Sequence, residues 1–414
     1  MCHEHPKTPE LLAPAGDFEK LQMAVAYGAD AVYIGGKQFG LRANATNFDD
    51  AELENAIKYA HERNVKVYVA VNIFARNKDF DHIENYLQML QKFGADAVLV
   101  ADHGVLDIAR KVRDVDIHIS TQANVTNYQA VKFYEKLGAK RVVLARELSL
   151  DEIREINDKS APIETEVFVH GAMCVAHSGR CLLSNYMIGR DANRGDCAQP
   201  CRWKYHLMED VRQGEFFPAY EDEHGTYIMN SKDLCMIQHI PELVAAGVSS
   251  FKIEGRMKSA YYVAVVTRAY RQAIDDFFES PSLYESKKDY YLEELKKSSH
   301  RDFYTGFYFK SPHQMGQSLS SAVYTSTHDF VGVVLDYDCK TGLALIEQRN
   351  KFSVGDEVEF MKGDFKQIIA EIYDTDGVLL KSVPHPQQIV RVKTDAPVEK
   401  FEILRKKTNI ARSV

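Results

Sequence analysis

Five of the seven cysteines, Cys174, Cys181, Cys197, Cys201 and Cys235, are gathered in one stretch that follows the segment Glu164-Thr-Glu-Val-Phe-Val-His170-Gly-Ala-Met-Cys174. Thiolates are soft ligands that select zinc, copper(I) or iron–sulfur clusters, so this density of thiols reads as a metal or cluster site. Buried thiols acting only as small hydrophobes would be scattered along the chain. The first four are spaced Cys-x6-Cys-x15-Cys-x3-Cys, without the tight Cys-x2-Cys knuckle of structural zinc ribbons. That spacing favours an iron–sulfur cluster, but four thiolates also serve zinc and the alternative stays open. Cys2 and Cys339 lie apart and read as bystanders.

The rest of the chain suits a reduced thiol site. The N-terminal residues Met1-Cys2-His3-Glu4-His5 open no apolar signal core, and no later run approaches the roughly 18 apolar residues of a membrane span. The expectation is a cytoplasmic protein with no membrane segment, in a compartment where clustered thiols bind metal more often than they pair. A formal net charge of −8 argues against wholesale wrapping of nucleic acid but leaves room for a local basic strip that binds RNA.

Positioning such a site falls to an alternating fold. Gly28-Ala-Asp-Ala-Val32, Gly94-Ala-Asp-Ala-Val98, Gly138-Ala-Lys-Arg-Val142 and Gly247-Val-Ser-Ser-Phe251 each follow a helical pattern and open an apolar run. Glycine there caps a helix, and the run beyond it reads as a strand. With the remaining runs, strands are predicted near Leu11–Ala15, Ala31–Gly35, Val65–Asn72, Ala97–Ala101, Asp116–Gln122, Arg141–Arg146, Glu164–His170 and Ser249–Arg256, with helices between them. This order favours an α/β fold in which eight βα units close into a TIM-like (β/α)8 barrel over 1–278; an open doubly wound sheet is the alternative. The cysteine-rich stretch is then an insertion, 171–235, after the seventh strand.

A parallel barrel strand is buried on both sides and should read as continuously apolar. Several here alternate instead. Lys66, Tyr68 and Asn72 oppose Val65, Val67, Val69 and Val71; His118, Ser120 and Gln122 oppose Ile117 and Ile119. Glu166 and His170 oppose Val167 and Val169, and Lys252, Glu254 and Arg256 oppose Phe251 and Ile253. The apolar rows must meet the helix ring, so the polar rows are predicted to point into the barrel.

Inward charges are costly unless paired or solvated, which marks the barrel mouth as a polar pocket. Lys66 and His118, near the strand starts, are equally explained by internal ion pairs. Asn72, Gln122, His170, Glu254 and Arg256 sit towards the C-terminal strand ends, where the active sites of such barrels assemble, and Arg146 closes the sixth strand. Arg146, Lys252 and Arg256 are candidate carboxylate clamps, since such cations pair with carboxylates. His170 and Glu254 are candidate proton-transfer groups.

From about His328 the texture changes to period-two runs such as Phe330–Leu335, Leu343–Glu347, Glu357–Met361 and Ile389–Val392, separated by turn residues. They predict a small antiparallel β-barrel over 327–414. The aromatic-rich segment 279–326 reads as a linker that docks the two domains, with His300-Arg301-x-x-Tyr304-x-Gly306-Phe307 a candidate lid over the barrel mouth.

The pattern Glu166-x-Phe168-x-x-Gly171-Ala172-Met173-Cys174-x4-Gly179-x-Cys181-x-Leu183-Ser184 resembles the full signature of peptidase family U32. The resemblance continues through Leu12-Ala-Pro-Ala-Gly16, Ser120-Thr-Gln122 and Phe251-Lys-Ile-Glu-Gly-Arg256. The family name records a protease assignment, but its members include oxygen-independent hydroxylases with a [4Fe-4S] cluster that modify RNA or ubiquinone precursors. The resemblance implies 5-hydroxylation of the wobble-position uridine of tRNA, with prephenate as co-substrate and oxygen source. It also implies cluster ligation by Cys174, Cys181, Cys197 and Cys235. Cys201 is an extra thiol relative to that pattern, and members acting on ribosomal RNA rely on the Cys197-x3-Cys201 pair, so the fourth ligand stays open between Cys201 and Cys235.

Two other classes compete. A metallopeptidase would carry a motif such as His-Glu-x-x-His, and neither this nor a Gly-x-Ser-x-Gly elbow occurs. A non-catalytic, zinc-stabilised RNA-binding adaptor needs only thiolates and a basic surface; the inward polar rows speak against it.

Overall fold

The computed structural model describes residues 7–40, 46–173, 183–190, 196–198, 200, 220–222, 225–227, 232–309 and 324–408. The chain divides into two compact units. One runs through Leu292 and includes the segment that begins at Arg301; the other holds Glu293–His300 and the chain from Tyr324. The segment 279–326 is thus shared between them.

Eight parallel strands build the first unit: β1 (Glu10–Pro14), β2 (Ala31–Ile34), β3 (Lys66–Val71), β4 (Ala97–Val100), β5 (Asp116–Ile119), β6 (Arg141–Val143), β7 (Glu164–Ala172) and β11 (Ser250–Ile253). β11 pairs with β1 on one side and β7 on the other, which closes the sheet into the expected TIM-like barrel. Its ring is α1 (Phe18–Ala26), α2 (Asp50–His61), α3 (Phe80–Phe93), α4 (His103–Ala109), α5 (Tyr128–Lys136), α6 (Leu150–Ser160), α8 (Ile240–Ala245) and α9 (Ala260–Glu279), followed by α10 (Pro281–Lys296).

Local sequence explains the joints. Capping boxes at Asp49 and Ser149 start α2 and α6, each side chain taking the backbone N–H three residues on while a glutamate returns the bond. Gly94 ends α3 in the left-handed conformation at φ +85°, the role the repeated glycine signal predicts.

After β7 come α7 (Leu183–Ile188) and a hairpin of β8 (Tyr220–Asp222) and β9 (Gly225–Tyr227). β10 (Asp233–Cys235) then returns antiparallel along the end of β7, placing Cys235 opposite His170 and Asp233 opposite Ala172. β12 (Phe303–Tyr304) adds itself parallel to β10. Arg301 supports this pairing: its backbone N–H and guanidinium both reach the Asp233 carboxylate, at 3.1 and 3.6 Å, in a buried position. The segment offered by the sequence as a lid is therefore partly a strand of this sheet.

The second unit is a curled antiparallel sheet of eight strands, ordered β17-β16-β22-β13-β14-β21-β18-β19. They are β13 (His328–Asp338), β14 (Leu343–Gln348), β16 (Glu357–Phe360), β17 (Phe365–Ile368), β18 (Ile372–Tyr373), β19 (Leu379–Leu380), β21 (Ile389–Lys393) and β22 (Ile403–Lys407). β15 (Phe352–Ser353) and β20 (Ser382–Val383) form a separate pair. Alternate residues such as Val331, Ile346, Phe360, Val390 and Leu404 fill one core. Among the described residues, no helix is long and apolar enough to cross a membrane.

Candidate functional site

The lower barrel interior is filled by paired charge. Arg141 of β6 reaches Glu10 at 2.5 Å, Glu164 at 2.7 Å and Glu166 at 3.3 Å, and Lys252 of β11 donates to the other oxygen of Glu166 at 2.6 Å. Tyr68 and Ser250 donate to Glu10 at 2.6 and 3.0 Å. Burial pushes the Glu10 carboxyl up, but the charge and hydrogen bonds of Arg141 outweigh it and hold the group below its ordinary value. His118, edge-on to Tyr68, is driven well below its usual range by burial and then by the charges of Arg141, Lys252 and Lys66. It serves this layer as a neutral ring. Lys66 is exposed at the start of β3.

Above that layer, Asn72, Gln122, Arg146, Lys252, Glu254 and Arg256 line one small open pocket of about 60 Å³, together with Tyr33 and Phe168. Of the residues expected at the barrel mouth, His170 is absent from this lining. The pocket stands at the C-terminal strand ends, the face that carries the chemistry of such barrels. Arg146 donates to the Ala172 carbonyl at 3.0 Å, lies 3.6 Å from the Glu254 carboxylate and stacks 3.8 Å over the Phe168 ring. Asn72 donates to the Ser120 hydroxyl at 3.2 Å, and the Lys252 ammonium stands 4.5 Å over the Tyr33 ring.

Arg256 reaches the pocket across two glycines. A methyl group on Gly35 would stand 2.3 Å from its Nη1, and one on Gly16 would stand 2.1 Å from its backbone oxygen. The glycine of Leu12-Ala-Pro-Ala-Gly16 thus lets the end of β1 approach the chain leaving β11, and Gly35 leaves the path along which the guanidinium lies.

His170 departs from the expected row. Between β7 and β11 the register runs Phe168 to Lys252 and then His170 to Ile253, so one residue of β7 is bulged out at Val169. The bulge turns His170 to the side of Ile253, away from the pocket. There its ring packs 5.6 Å from Tyr270, 6.0 Å from Tyr262 and 5.4 Å from Phe303. The prediction that His170 shares an inward face with Glu166 is corrected: strand alternation holds only until an extra residue is inserted.

Cys235, the register partner of His170, is buried on the same side. Burial pushes its thiol up to about 12, with hydrogen bonding from Ile237 and then Tyr270 acting in the opposite direction. Cys197 is half-buried, beside the bond from the Ala198 N–H to the Ser184 hydroxyl at 3.1 Å. Cys174, Cys181 and Cys201 lie outside the described residues, and among the described residues no three His, Cys, Asp or Glu side chains gather as a metal site. Soft thiols of this kind are the donors that zinc or an iron–sulfur cluster takes.

Sequence reasoning missed Tyr33, Phe168 and Tyr270. Phe168 was available, since it shares the inward parity of Glu166; Tyr270 was not, because nothing in a helical pattern marks which residue will meet a strand that far back in the chain.

The comparisons with known proteins follow this architecture. The profile of peptidase family U32 matches residues 16–318, and that of the peptidase family U32 C-terminal domain matches residues 326–405. The chain belongs to peptidase family U32. Within the family it is 44% identical over 404 residues to tRNA hydroxylation protein P1 of Bacillus subtilis, covering 97% of this chain and 95% of that one. It is 40% identical over 419 residues to tRNA hydroxylation protein P of Escherichia coli, covering 91% of each. A third relative, the 23S rRNA 5-hydroxycytidine C2501 synthase of Escherichia coli, is 40% identical over 272 residues, 65% of this chain and 40% of that one.

Proposed function

We propose that this protein is an RNA-hydroxylating enzyme, and specifically that it forms 5-hydroxyuridine at the wobble position of tRNA with prephenate as oxygen source and a [4Fe-4S] cluster. The observation that carries the reading is the pocket: three cations, two carboxamides and one carboxylate converge at the active face of a barrel. Relatives named for tRNA hydroxylation match nearly the whole chain.

Replacing the C5–H of uridine by C5–OH is a two-electron oxidation; with prephenate as oxygen donor, its C–O bond breaks as the C5–O bond forms, so the co-substrate is itself the two-electron oxidant and takes up the proton released from C5. Arg146 and Arg256 are suited to hold the carboxylates of a dicarboxylate such as prephenate. Lys252 already neutralises Glu166, so its part is to keep that face of the pocket positive. Glu254, beside Arg146 and at the pocket wall, is the group placed to relay the C5 proton. Asn72 and Gln122 offer the paired donor and acceptor that a flipped uracil edge requires. Cys174, Cys181, Cys197 and either Cys235 or Cys201 would hold the cluster. When bound, it supplies electron transfer.

Nucleoside mass spectrometry of tRNA from a strain lacking the gene tests the reading. Loss of 5-hydroxyuridine-derived nucleosides, restored by the wild-type gene, is expected. Unchanged levels in a strain with no second hydroxylase would remove it, and loss of a hydroxylated ribosomal nucleoside instead would redirect it to ribosomal RNA.

A further inference from the structure

The inward row of β7 places an apolar ring among charges. Phe168 follows Glu166 on that face, lines the pocket and is buried, with Lys252 of β11 as its register partner. The Arg146 guanidinium lies 3.8 Å over the centroid of its ring, and the Lys252 ammonium stands 5.4 Å from the same point. The backbone at this position is held as well, since the Tyr308 hydroxyl donates to the Phe168 carbonyl at 2.5 Å.

Arg146, Lys252 and Arg256 share one small pocket, where like charges repel. Lys252 is anchored by Glu166 at 2.6 Å. Arg146 donates to the Ala172 carbonyl at 3.0 Å, while the Glu254 carboxylate at 3.6 Å is an ion contact rather than a hydrogen bond. The ring of Phe168 meets the guanidinium in another way, on its face. A guanidinium donates in its own plane, so a ring on the face competes with none of its N–H bonds and fixes the plane in which they point. The negative face of the ring also attracts the cation, most strongly where water is excluded. An aliphatic side chain of similar volume would do neither.

We infer that Phe168 is a positioning residue for the anion end of the pocket: its ring face holds the Arg146 guanidinium in the orientation that receives a carboxylate, so the electron density of the ring sets how tightly the pocket takes a small acid. The inference rests on the reading above, in which Arg146 receives a carboxylate of the co-substrate.

Binding of prephenate to the full chain is measured by calorimetry at neutral pH, with and without tRNA. Phe168→Leu is expected to weaken it on the order of tenfold. Phenylalanines carrying one, two and three ring fluorines, installed at position 168, nearly keep the shape of the ring and remove its negative face by steps. Affinity should then fall by steps while the melting temperature holds. In the Arg146→Met chain, whatever affinity remains should not respond to the fluorines; loss of all binding there, beside a falling series with Arg146 in place, supports the inference equally.

A flat fluorine series in a chain that binds prephenate sinks the inference alone, because a ring that only fills space is indifferent to its electrons. A rising series overturns it too, since an electron-poor ring that gains affinity is meeting the anion itself. A falling series that survives in Arg146→Met assigns the effect to Lys252 and removes the role at Arg146. If Phe168→Leu does not fold, the fluorinated chains decide by themselves. A wild-type chain that takes up no prephenate under either condition removes the co-substrate reading, and the inference falls with it.

Discussion

His170 and Cys235 face one another across the antiparallel pairing of β7 with β10, on the side of the barrel wall that Tyr262 and Tyr270 of α9 cover. The pocket residues Asn72, Gln122, Arg146, Lys252, Glu254 and Arg256 occupy the other side. Glu254 touches both neighbourhoods through its backbone: its N–H donates to the His170 carbonyl at 2.8 Å. A substitution at His170 and one at Arg256 should therefore fail differently.

His170→Ala, which empties a ring site beside Cys235, is expected to lower iron content after reconstitution and to lower the melting temperature. A buried aromatic-sized truncation costs about 3–5 kcal/mol. A direct proton-transfer role predicts instead full iron loading, an unchanged melt and abolished modification.

Single Cys174→Ser, Cys181→Ser and Cys197→Ser exchanges should each reduce iron content and remove broad visible absorption. Cys235→Ser is expected to do more damage than Cys201→Ser. Retention of the full absorption in any of the first three would strike that residue from the ligand set.

Arg256→Ala should reduce tRNA modification by more than tenfold while leaving the melt within a few degrees of wild type. Lys252→Met should instead lower the melting temperature markedly. It leaves Glu166, fully buried, with one partner fewer, and breaking a buried pair costs about 3–5 kcal/mol. Melting curves run beside activity separate the two; equal destabilisation would mean that Arg256 belongs to the structural layer.

Gly35→Ala and Gly16→Ala both obstruct Arg256, but at different atoms. The first meets the guanidinium, which can swing aside, so it should lower activity with a small change in stability. The second meets a backbone oxygen and should lower the melting temperature markedly. A Gly35→Ala enzyme with wild-type activity would show that the guanidinium position is immaterial.

The second unit should weaken in acid. Arg405 pairs with Glu294 at 2.7 Å and Glu359 at 2.8 Å, and His328 lies 3.7 Å from Glu359. Burial pushes the Glu359 carboxyl up, but the bond and charge of Arg405, then Lys297, pull it down to about 2. Its stabilisation is complete above the ordinary value of 4.5 and is lost as pH falls towards 2. His328 is lowered to about 4 by burial and by the charges of Arg405 and Lys297. The unfolded chain therefore takes up its proton first, and stability declines as pH falls from 6.5 to 4. Melts of the full chain should show this decline, and His328→Gln should flatten its upper part; an unaltered slope between pH 6.5 and 4 would sink the assignment.

Much of the architecture was written in local pattern. The glycine-ended helices and the apolar runs after them mark the αβ joints because capping and strand burial are decided within a few residues. The alternating rows named Asn72, Gln122, Glu254 and Arg256 for the same reason: in a regular strand, parity alone decides which face a side chain takes. The cysteines suggested a soft-metal site by residue type alone. What parity could not give was the bulge at Val169, which is fixed by how β7 must pair with β11 and β10 together, and which moved His170 out of the pocket. Nor could it say that Lys252 is already paired with Glu166, or that Tyr270 of a later helix donates to the Val169 carbonyl of β7. Those are contacts between residues 86 and 101 positions apart, and only the closed barrel brings them within hydrogen-bond reach.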